Sequence, residues 1–469
     1  MAVVDRVSTL LARIAQQANG ARSWVVYVPV LLVAAIIRLF NLGGLRSLVF
    51  DEVYYVRDAW TLWNLGYEAT WIDGSDFANG GTAAFTTVGD FVAHPPLGKW
   101  LIGAGMALFG PDNPFGWRFT TALAGILVVF LTMVIARKLF NSILVAGVAG
   151  LFVAIDGIAI AMSRTALLDG ILTVFVLGAF LTLLTHLERP GWGQWLLIAG
   201  VLLGAATAVK WTGVLAIAGF GLWVVIAEAL RAGPDIRNRL RTGLISVVRS
   251  SALVLPVGVV TYVAAWSGWL TASGGYGRAH GGESDSNPVT QALGALWKYH
   301  EAIYGYGIGL TADHGYEASP FGWLLMIRPT AFWYETTCGD GCAEYVTSVA
   351  NPVLWYFSVL ALGWLVFRMY RTRVWTYAPI VVGVLSLWVP WLLISHRTMF
   401  QFYTVTFEPF LMLAAAWGLR ELWRAGYRAI AVGLVAAAGA VSVFFLPVWL
   451  GLPIPVWFAM LHYWLPSWI

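Results

Sequence analysis

Charge is what this sequence has least of. Only 11% of its 469 residues are Asp, Glu, Lys or Arg, less than half of the roughly 25% usual in soluble domains. That excludes a soluble enzyme or a solvated binding module. Cysteine is nearly absent: Cys338 and Cys342 are the two present, and two thiols alone make a poor zinc site. The seven histidines include none at close metal-ligand spacing, so no resident metal is expected. Nor is there a basic block. The net charge of +4 is spread between hydrophobic runs, which argues against a nucleic-acid partner. No small-residue cleavage site follows the first apolar run, so a retained signal-anchor is expected rather than a secretory signal peptide. Residues 1–23 are expected to form a short, basic, amphipathic cytoplasmic N-terminus.

What is present is apolar surface. Hydrophobic residues make up 59% of the chain, with 26 Trp, and the mean hydropathy is +0.75. The expected class is an all-α polytopic membrane protein. Hydrophobic runs fall near 24–42, 117–136, 142–161, 168–186, 193–209, 213–230, 250–266, 352–368, 376–394, 402–418 and 429–448. Each is about as long as a helix needs to cross the hydrocarbon core. The shorter run 97–110 begins with Lys99 and Trp100 and is expected to lie in the interface. With the N-terminus cytoplasmic, most Lys and Arg fall in short inside loops, as the positive-inside rule requires. The expected topology is therefore about eleven transmembrane helices, with the C-terminus extracytoplasmic. Two long extracytoplasmic loops, 43–116 and 267–351, complete a single membrane-embedded domain over 24–469. Loops of that length are usually functional or disordered. Trp63, Trp71, Trp100, Trp266, Trp269, Trp388 and Trp391 are expected mostly in the interfacial belt.

The chemistry-bearing residues gather on the outer side. Asp51 and Glu52 follow the first run, His94, Pro95 and Pro96 form a turn closing the first loop, and Arg164, Asp169, Lys210 and Arg397 stand at outer span ends. Arg38 and Arg118 sit inside or at the start of spans. They could snorkel, pair with the carboxylates, or grip an anionic head group. His94 with Asp51 and Glu52 could supply three metal ligands, but a loop anchor or acceptor-binding group is the expected role. Pro95 and Pro96 restrict the backbone and would aim His94. Asp169 would cap the fourth span or pair with Arg164. Cys338 and Cys342, in an oxidising compartment, would form a small-loop disulfide.

FDEVYYVRDAW after the first run, AHPPLGKWLIG, SRTALLDG, AVKWTG, NPVLWYFSVLALGW and HRTMFQFY resemble bacterial protein O-mannosyltransferases, which are C-type glycosyltransferases. The resemblance covers most of the chain. The second long loop is too short for the β-trefoil of the fungal enzymes, and the Arg- and Trp-rich, Lys-poor composition looks actinobacterial. The resemblance implies transfer of mannose, with inversion, from polyprenyl-phosphate-mannose to Ser or Thr hydroxyls. The acceptors would be unfolded secreted proteins rich in Ser, Thr and Pro, met at the outer face of the plasma membrane, with the protein-secretion channel as a further partner. No cofactor beyond the lipid donor is implied. In the catalytic pair, Asp51 would be the general base, and Glu52 would orient the acceptor or pair with Arg38 or Arg118. A hydroxyl needs such a base, and a departing phosphate needs cations. Arg397 and Lys210 are the first candidates for the phosphate, with Arg118 and Arg164 behind them. His94, Pro95, Pro96 and Arg38 would position acceptor or loop. A sibling enzyme acting on a lipid or cell-wall glycan is the alternative. A transporter fits less well, because the charges gather at the rim and the two halves do not resemble each other.

Overall fold

The computed structural model describes residues 23–278, 287–336, 338–339 and 341–468. The expected amphipathic helix of the N-terminus lies outside the described residues. Each apolar run folds as a helix: α1 (Trp24–Leu39), α4 (Pro114–Phe140), the pair α5 (Ile143–Ile155) and α6 (Gly157–Arg164), α7 (Leu168–Glu188), α8 (Gln194–Val209), α9 (Gly213–Arg231), α10 (Ile236–Ala265), α13 (Pro352–Thr372), α14 (Ala378–Leu393), α15 (Glu408–Arg424) and α16 (Arg428–Leu450). Among the described residues, six helices are long and apolar enough to span a membrane unaided, and α5 with α6 would make a seventh.

The remaining elements lie in the two long loops and near the C-terminus. The first loop holds α2 (Glu52–Leu65), the hairpin β1 (Ala69–Trp71) and β2 (Phe85–Gly89), and α3 (Leu97–Phe109). The second holds α11 (Ser267–Thr271), α12 (Pro288–Gly309), β3 (Ala331–Glu335) and β4 (Cys342–Thr347). After α16 come β5 (Pro453–Pro455) and α17 (Val456–Met460). Because β5 pairs antiparallel with β4, the C-terminal segment is tied to the second loop. The disulfide Cys338–Cys342 closes the β3–β4 tip, where the Gly341 carbonyl accepts from Val456 N at 2.9 Å.

Local chemistry sets the helix starts. Asn113, Asn287 and Asn351 each cap a helix whose first residue is proline, accepting the backbone N–H two residues on. This satisfies one orphan donor while the proline lacks another. Close approach between α8 and α10 depends on Gly200 and Gly204, where any Cβ would strike the α10 backbone at Val254 and Gly258. That is the small-residue contact membrane helices use.

Four departures from the sequence expectation have plain causes. The third run is not straight: α5 and α6 meet at 59°, with Asp156 capping α6 through Ile158 N at 3.3 Å. Arg38, expected to position acceptor or loop or to pair with the acidic pair Asp51 and Glu52, instead lies fully buried away from them. It donates to Val153 O and Ala154 O at 3.1 Å and to Ser163 Oγ at 3.2 Å, covering the carbonyls this bend exposes. Arg164, expected near the phosphate, clamps two helix ends. Its Nη1 donates to the carbonyls of Ile37, Arg38 and Phe40 at 2.8–3.0 Å, and its Nη2 donates to Leu450 O at 3.3 Å. Finally, Trp266 and Trp269 are not lipid-facing belt residues. Both are 1% exposed and pack around Tyr299 of α12.

Candidate active site

The site begins at the first turn of α2. Phe50 takes a left-handed backbone, φ 49°, and its ring packs among Phe332, Phe400, Phe402 and His314. The chain then enters α2 with Asp51 and Glu52 adjacent, so their side chains diverge by about 100° around the helix. Glu52 is fully buried. Arg118 holds it through Nε to Oε1 at 2.8 Å and Nη2 to Oε2 at 2.7 Å. Val49 N and Ala166 N donate to it as well, at 3.0 and 2.7 Å. Both carboxylate oxygens are therefore occupied. Arg118 is equally committed, with Nη1 donating to Leu45 O at 2.7 Å and Nη2 also to Ser47 O at 2.9 Å. This corrects the expectation of Arg118 as a phosphate ligand: a guanidinium saturated by a carboxylate and two carbonyls has no fork to offer. Glu52 pairs with Arg118 rather than meeting an acceptor.

Asp51 faces the other way and is partly exposed. One turn later Tyr55 donates its hydroxyl to Asp51 Oδ2 at 3.3 Å. Burial pushes the Asp51 carboxyl up to about 6, Lys210 and the Tyr55 hydroxyl pull it down, and Asp169 adds to the rise. A carboxylate of that basicity stays mostly ionised at neutral pH and accepts a proton more readily than an ordinary Asp.

His94 forms a second wall. Its ring centroid lies 6.0 Å from that of Tyr55, and Pro95 and Pro96 are buried beneath the turn. Its carbonyl accepts from Lys99 Nζ at 3.0 Å, and Lys99 is itself paired with buried Glu68. Burial and the neighbouring cations Lys210, Lys99 and Arg397 hold the imidazole well below its usual range, so it is neutral at physiological pH. His94 and Glu52 do not join Asp51 in a ligand set. Among the described residues no three His, Cys, Asp or Glu side chains converge on a metal position.

Lys210 stands in the break between α8 and α9, donating to both Asp169 oxygens at 2.9 Å. Its ammonium also lies 4.2 Å from the Tyr403 ring centroid. Asp169 thus pairs with Lys210 and not with Arg164. The residue after His396 is different. Arg397 follows α14, anchored where Thr398 N donates to Leu310 O at 3.0 Å. Its Nε is buried without a partner, and among the described residues its guanidinium makes no hydrogen bond or ion pair. The rest of the head is partly open, and its charge acts on both His94 and Tyr403.

The constellation is thus Asp51, Tyr55, His94, Asp169, Lys210, Arg397 and Tyr403: one raised carboxylate, one neutral imidazole, one paired cation and one unpaired cation. Tyr55 and Tyr403 were not expected. The signals available were the i, i+4 spacing of Tyr55 from Asp51 on a helix and the placement of Tyr403 in HRTMFQFY beside Arg397.

A helical membrane bundle carrying such a cluster beneath two long loops is the architecture of a C-type glycosyltransferase. The S. cerevisiae protein O-mannosyltransferase Pmt1–Pmt2 complex bound to the sugar donor superposes with a TM-score of 0.74 at 14% identity, covering 96% of this chain and 93% of that one. ArnT from Cupriavidus metallidurans, solved bound to undecaprenyl phosphate, gives 0.51 at 18% identity over 90% of this chain and 64% of its own. Sequence carries the assignment further. The sequence model of the family described as dolichyl-phosphate-mannose-protein mannosyltransferase matches residues 28–271. The polyprenol-phosphate-mannose–protein mannosyltransferase of Mycobacterium tuberculosis is 31% identical over 95% of this chain and 92% of its own length. The chain belongs to the dolichyl-phosphate-mannose-protein mannosyltransferase family, and it is a glycosyltransferase.

Proposed function

We propose that this enzyme transfers mannose from polyprenyl-phosphate-mannose to Ser and Thr hydroxyls of secreted proteins. The reaction takes place at the extracytoplasmic face of the plasma membrane. The single domain over 24–469 crosses the membrane about eleven times, N-terminus inside and C-terminus outside, and the loops 43–116 and 267–351 form its catalytic face. The observation that carries the reading is that one cluster holds both a guanidinium with no partner among the described residues, Arg397, and a basic carboxylate, Asp51. Family membership supplies the sugar and the acceptor class.

The residues suit a single displacement. The acceptor hydroxyl attacks the anomeric carbon while Asp51 takes its proton, and the carbon–oxygen bond to phosphate breaks with its electron pair on the phosphate. Arg397 receives the growing charge through its planar fork. Lys210 adds positive potential but is oriented by Asp169, so its share is smaller. Neutral His94 contributes a hydrogen bond rather than a charge. Attack opposite the leaving group turns a β-linked donor into an α-linked product. Acceptors are caught unfolded as they leave a secretion channel.

The test uses purified protein in proteoliposomes with polyprenyl-phosphate-[³H]mannose and a Ser/Thr/Pro-rich peptide. Label appearing on the peptide, and lost in Asp51→Asn, supports the reading. Label passing instead to a lipid or glycan would assign the chain to the sibling transferases.

A further inference from the structure

We propose that α12 is an interfacial helix whose exposed apolar stripe is embedded in the outer leaflet of the membrane, so that the occupant of this face is lipid. The helix has three faces rather than two. Ala292, Ala295, Leu296, Tyr299 and Ile303 are 1–7% exposed and pack inward. Beside them Val289, Leu293, Trp297, Tyr304 and Ile308 are 48–70% exposed. At 100° per residue these five fall within about 100° of arc. Lys298 and Glu301 come further round, on the third face. One protein face, one apolar face and one charged face describe a helix lying in an interface plane.

Its height in the membrane is fixed by what it packs against. The Tyr299 ring packs 5.3 Å from Trp266, which directly follows α10, and 5.9 Å from Trp269 of α11. The same α10 presents Leu255, Val259 and Val260 at 46–69% exposure, a surface only lipid can cover in a helix that spans. The apolar stripe of α12 therefore begins where the lipid-facing surface of α10 ends. Trp297 shows the matching polarity: its ring is exposed while its indole Nε1 donates to Glu301 Oε1 at 2.7 Å, turning the polar edge toward the charged face. Such amphipathic rings favour the headgroup level. At 22 residues α12 is long enough to span but is not among the helices apolar enough to do so.

A consequence for catalysis follows, and it rests on the function proposed above. The C-terminal end of α12 abuts Arg397: a Cβ at Gly307 would lie 4.0 Å from Arg397 Nη1. An embedded α12 holds the leaflet beside that guanidinium, where a lipid-borne phosphate arrives.

Cys338 and Cys342 are joined, so an introduced cysteine is the only free thiol available for a fluorophore. Single cysteines at Leu293, Trp297, Tyr304, Lys298 and Glu301 would be labelled with bimane in vesicles of phosphatidylcholine and phosphatidylglycerol. Spin-labelled lipids should quench the first three at least threefold more strongly than aqueous iodide does, and the order should reverse at the last two. Iodide reaching all five alike would overturn the proposal in favour of a water-facing helix. Neither quencher reaching Leu293 and Tyr304 would overturn it in favour of a protein partner or second copy. For the consequence, Leu293→Glu/Tyr304→Glu should raise KM for a vesicle-borne long-chain donor about tenfold while leaving a water-soluble short-chain donor unaffected. Lipid quenching with an unmoved KM would keep the helix in the membrane and remove its part in donor delivery. Inactivity of the unaltered enzyme with both donors would count against the proposed function and leave the quenching result standing.

Discussion

Lowering the pH should silence this enzyme through one residue. Asp51 is raised to about 6 from its ordinary 3.8, and in the proposed reaction only its ionised form would take the acceptor proton. At pH 7 about 90% is ionised, at pH 5 about 10%, and below the pKa the rate falls about tenfold per pH unit. The acid limb of kcat/KM should therefore break near 6, about two units above an unperturbed carboxylate. Tyr55 supplies the internal control. Its hydroxyl donates to Asp51 at 3.3 Å and stabilises the charged form, so Tyr55→Phe should move the break to higher pH. Such a variant should lose activity at pH 6 while recovering most of it at pH 8. Asp51→Asn should lower turnover about 100- to 10,000-fold across the range, the usual worth of a positioned general base. The assay is initial-rate mannose transfer to peptide in proteoliposomes from pH 5 to 8, with donor binding measured separately. A profile flat across that range, or a break that Tyr55→Phe leaves unmoved, would refute the assignment of Asp51.

Removing the unpaired guanidinium by Arg397→Ala should raise KM for the lipid donor about 10- to 150-fold, the equivalent of about 1.5–3 kcal/mol for a hydrogen bond to a charged group. KM for the peptide should stay unchanged, as initial-rate titration of each substrate would report. Arg118→Met should destabilise the protein by about 3–5 kcal/mol, because it leaves the Glu52 carboxylate buried alone. Glu52→Gln added to it should raise the melting temperature again in detergent, and a double variant no more stable than the single would contradict the pairing. Cys338→Ser/Cys342→Ser opens a small loop whose closure contributes about 2 kcal/mol by chain entropy. Its thermal midpoint should fall while transfer at 25 °C persists, and abolished transfer would place the β3–β4 tip in the site.

The apolar helices were legible because lipid demands long uninterrupted apolar runs: each of the eleven runs holds a helix, and among the described residues six, or seven with the bent pair, are long and apolar enough to span. Their edges were not. The helix α10 starts at Ile236, well before its apolar run, because Arg237, Arg239, Arg241 and Arg249 hide a helical segment from any hydropathy window. The opposite error affects the run at 402–418, whose first residues form a tight 3-10 turn, Gln401–Thr406, before α15 begins. The charged residues at loops and helix ends were legible as a zone, and Asp51, His94, Lys210 and Arg397 do come together. Which rim cation is free was not legible. Arg38, Arg118, Arg164 and Arg397 all stand near helix ends, yet the first three donate to carbonyls, to Ser163 or to Glu52. Apart from the carbonyl of Ala34, one turn before Arg38, those acceptors lie from 66 to 286 residues away in sequence. Only tertiary structure shows a helix bend or a pair of helix ends that needs a donor, so spacing alone could not separate a capping arginine from a binding one.

The adjacent acids make the same point at shorter range. Two neighbouring carboxylates look interchangeable in sequence, and helix geometry guarantees only that they diverge. What decides their roles is the direction from which the chain enters α2. Phe50, just before the pair, holds a left-handed φ of 49° that a bulky L-residue adopts at about 1–3 kcal/mol. Four rings around its side chain offset that strain. The resulting turn sets the phase of the helix, so that Glu52 meets Arg118 inside the bundle and Asp51 meets Tyr55 on another face of α2. Two of those rings, Phe400 and Phe402, belong to the segment that carries Arg397 and Tyr403. The packing that orients the carboxylate is therefore the packing that seats the free cation. Loss of one should disturb the other, because the segments that carry Asp51 and Arg397 are packed through the same aromatic cluster.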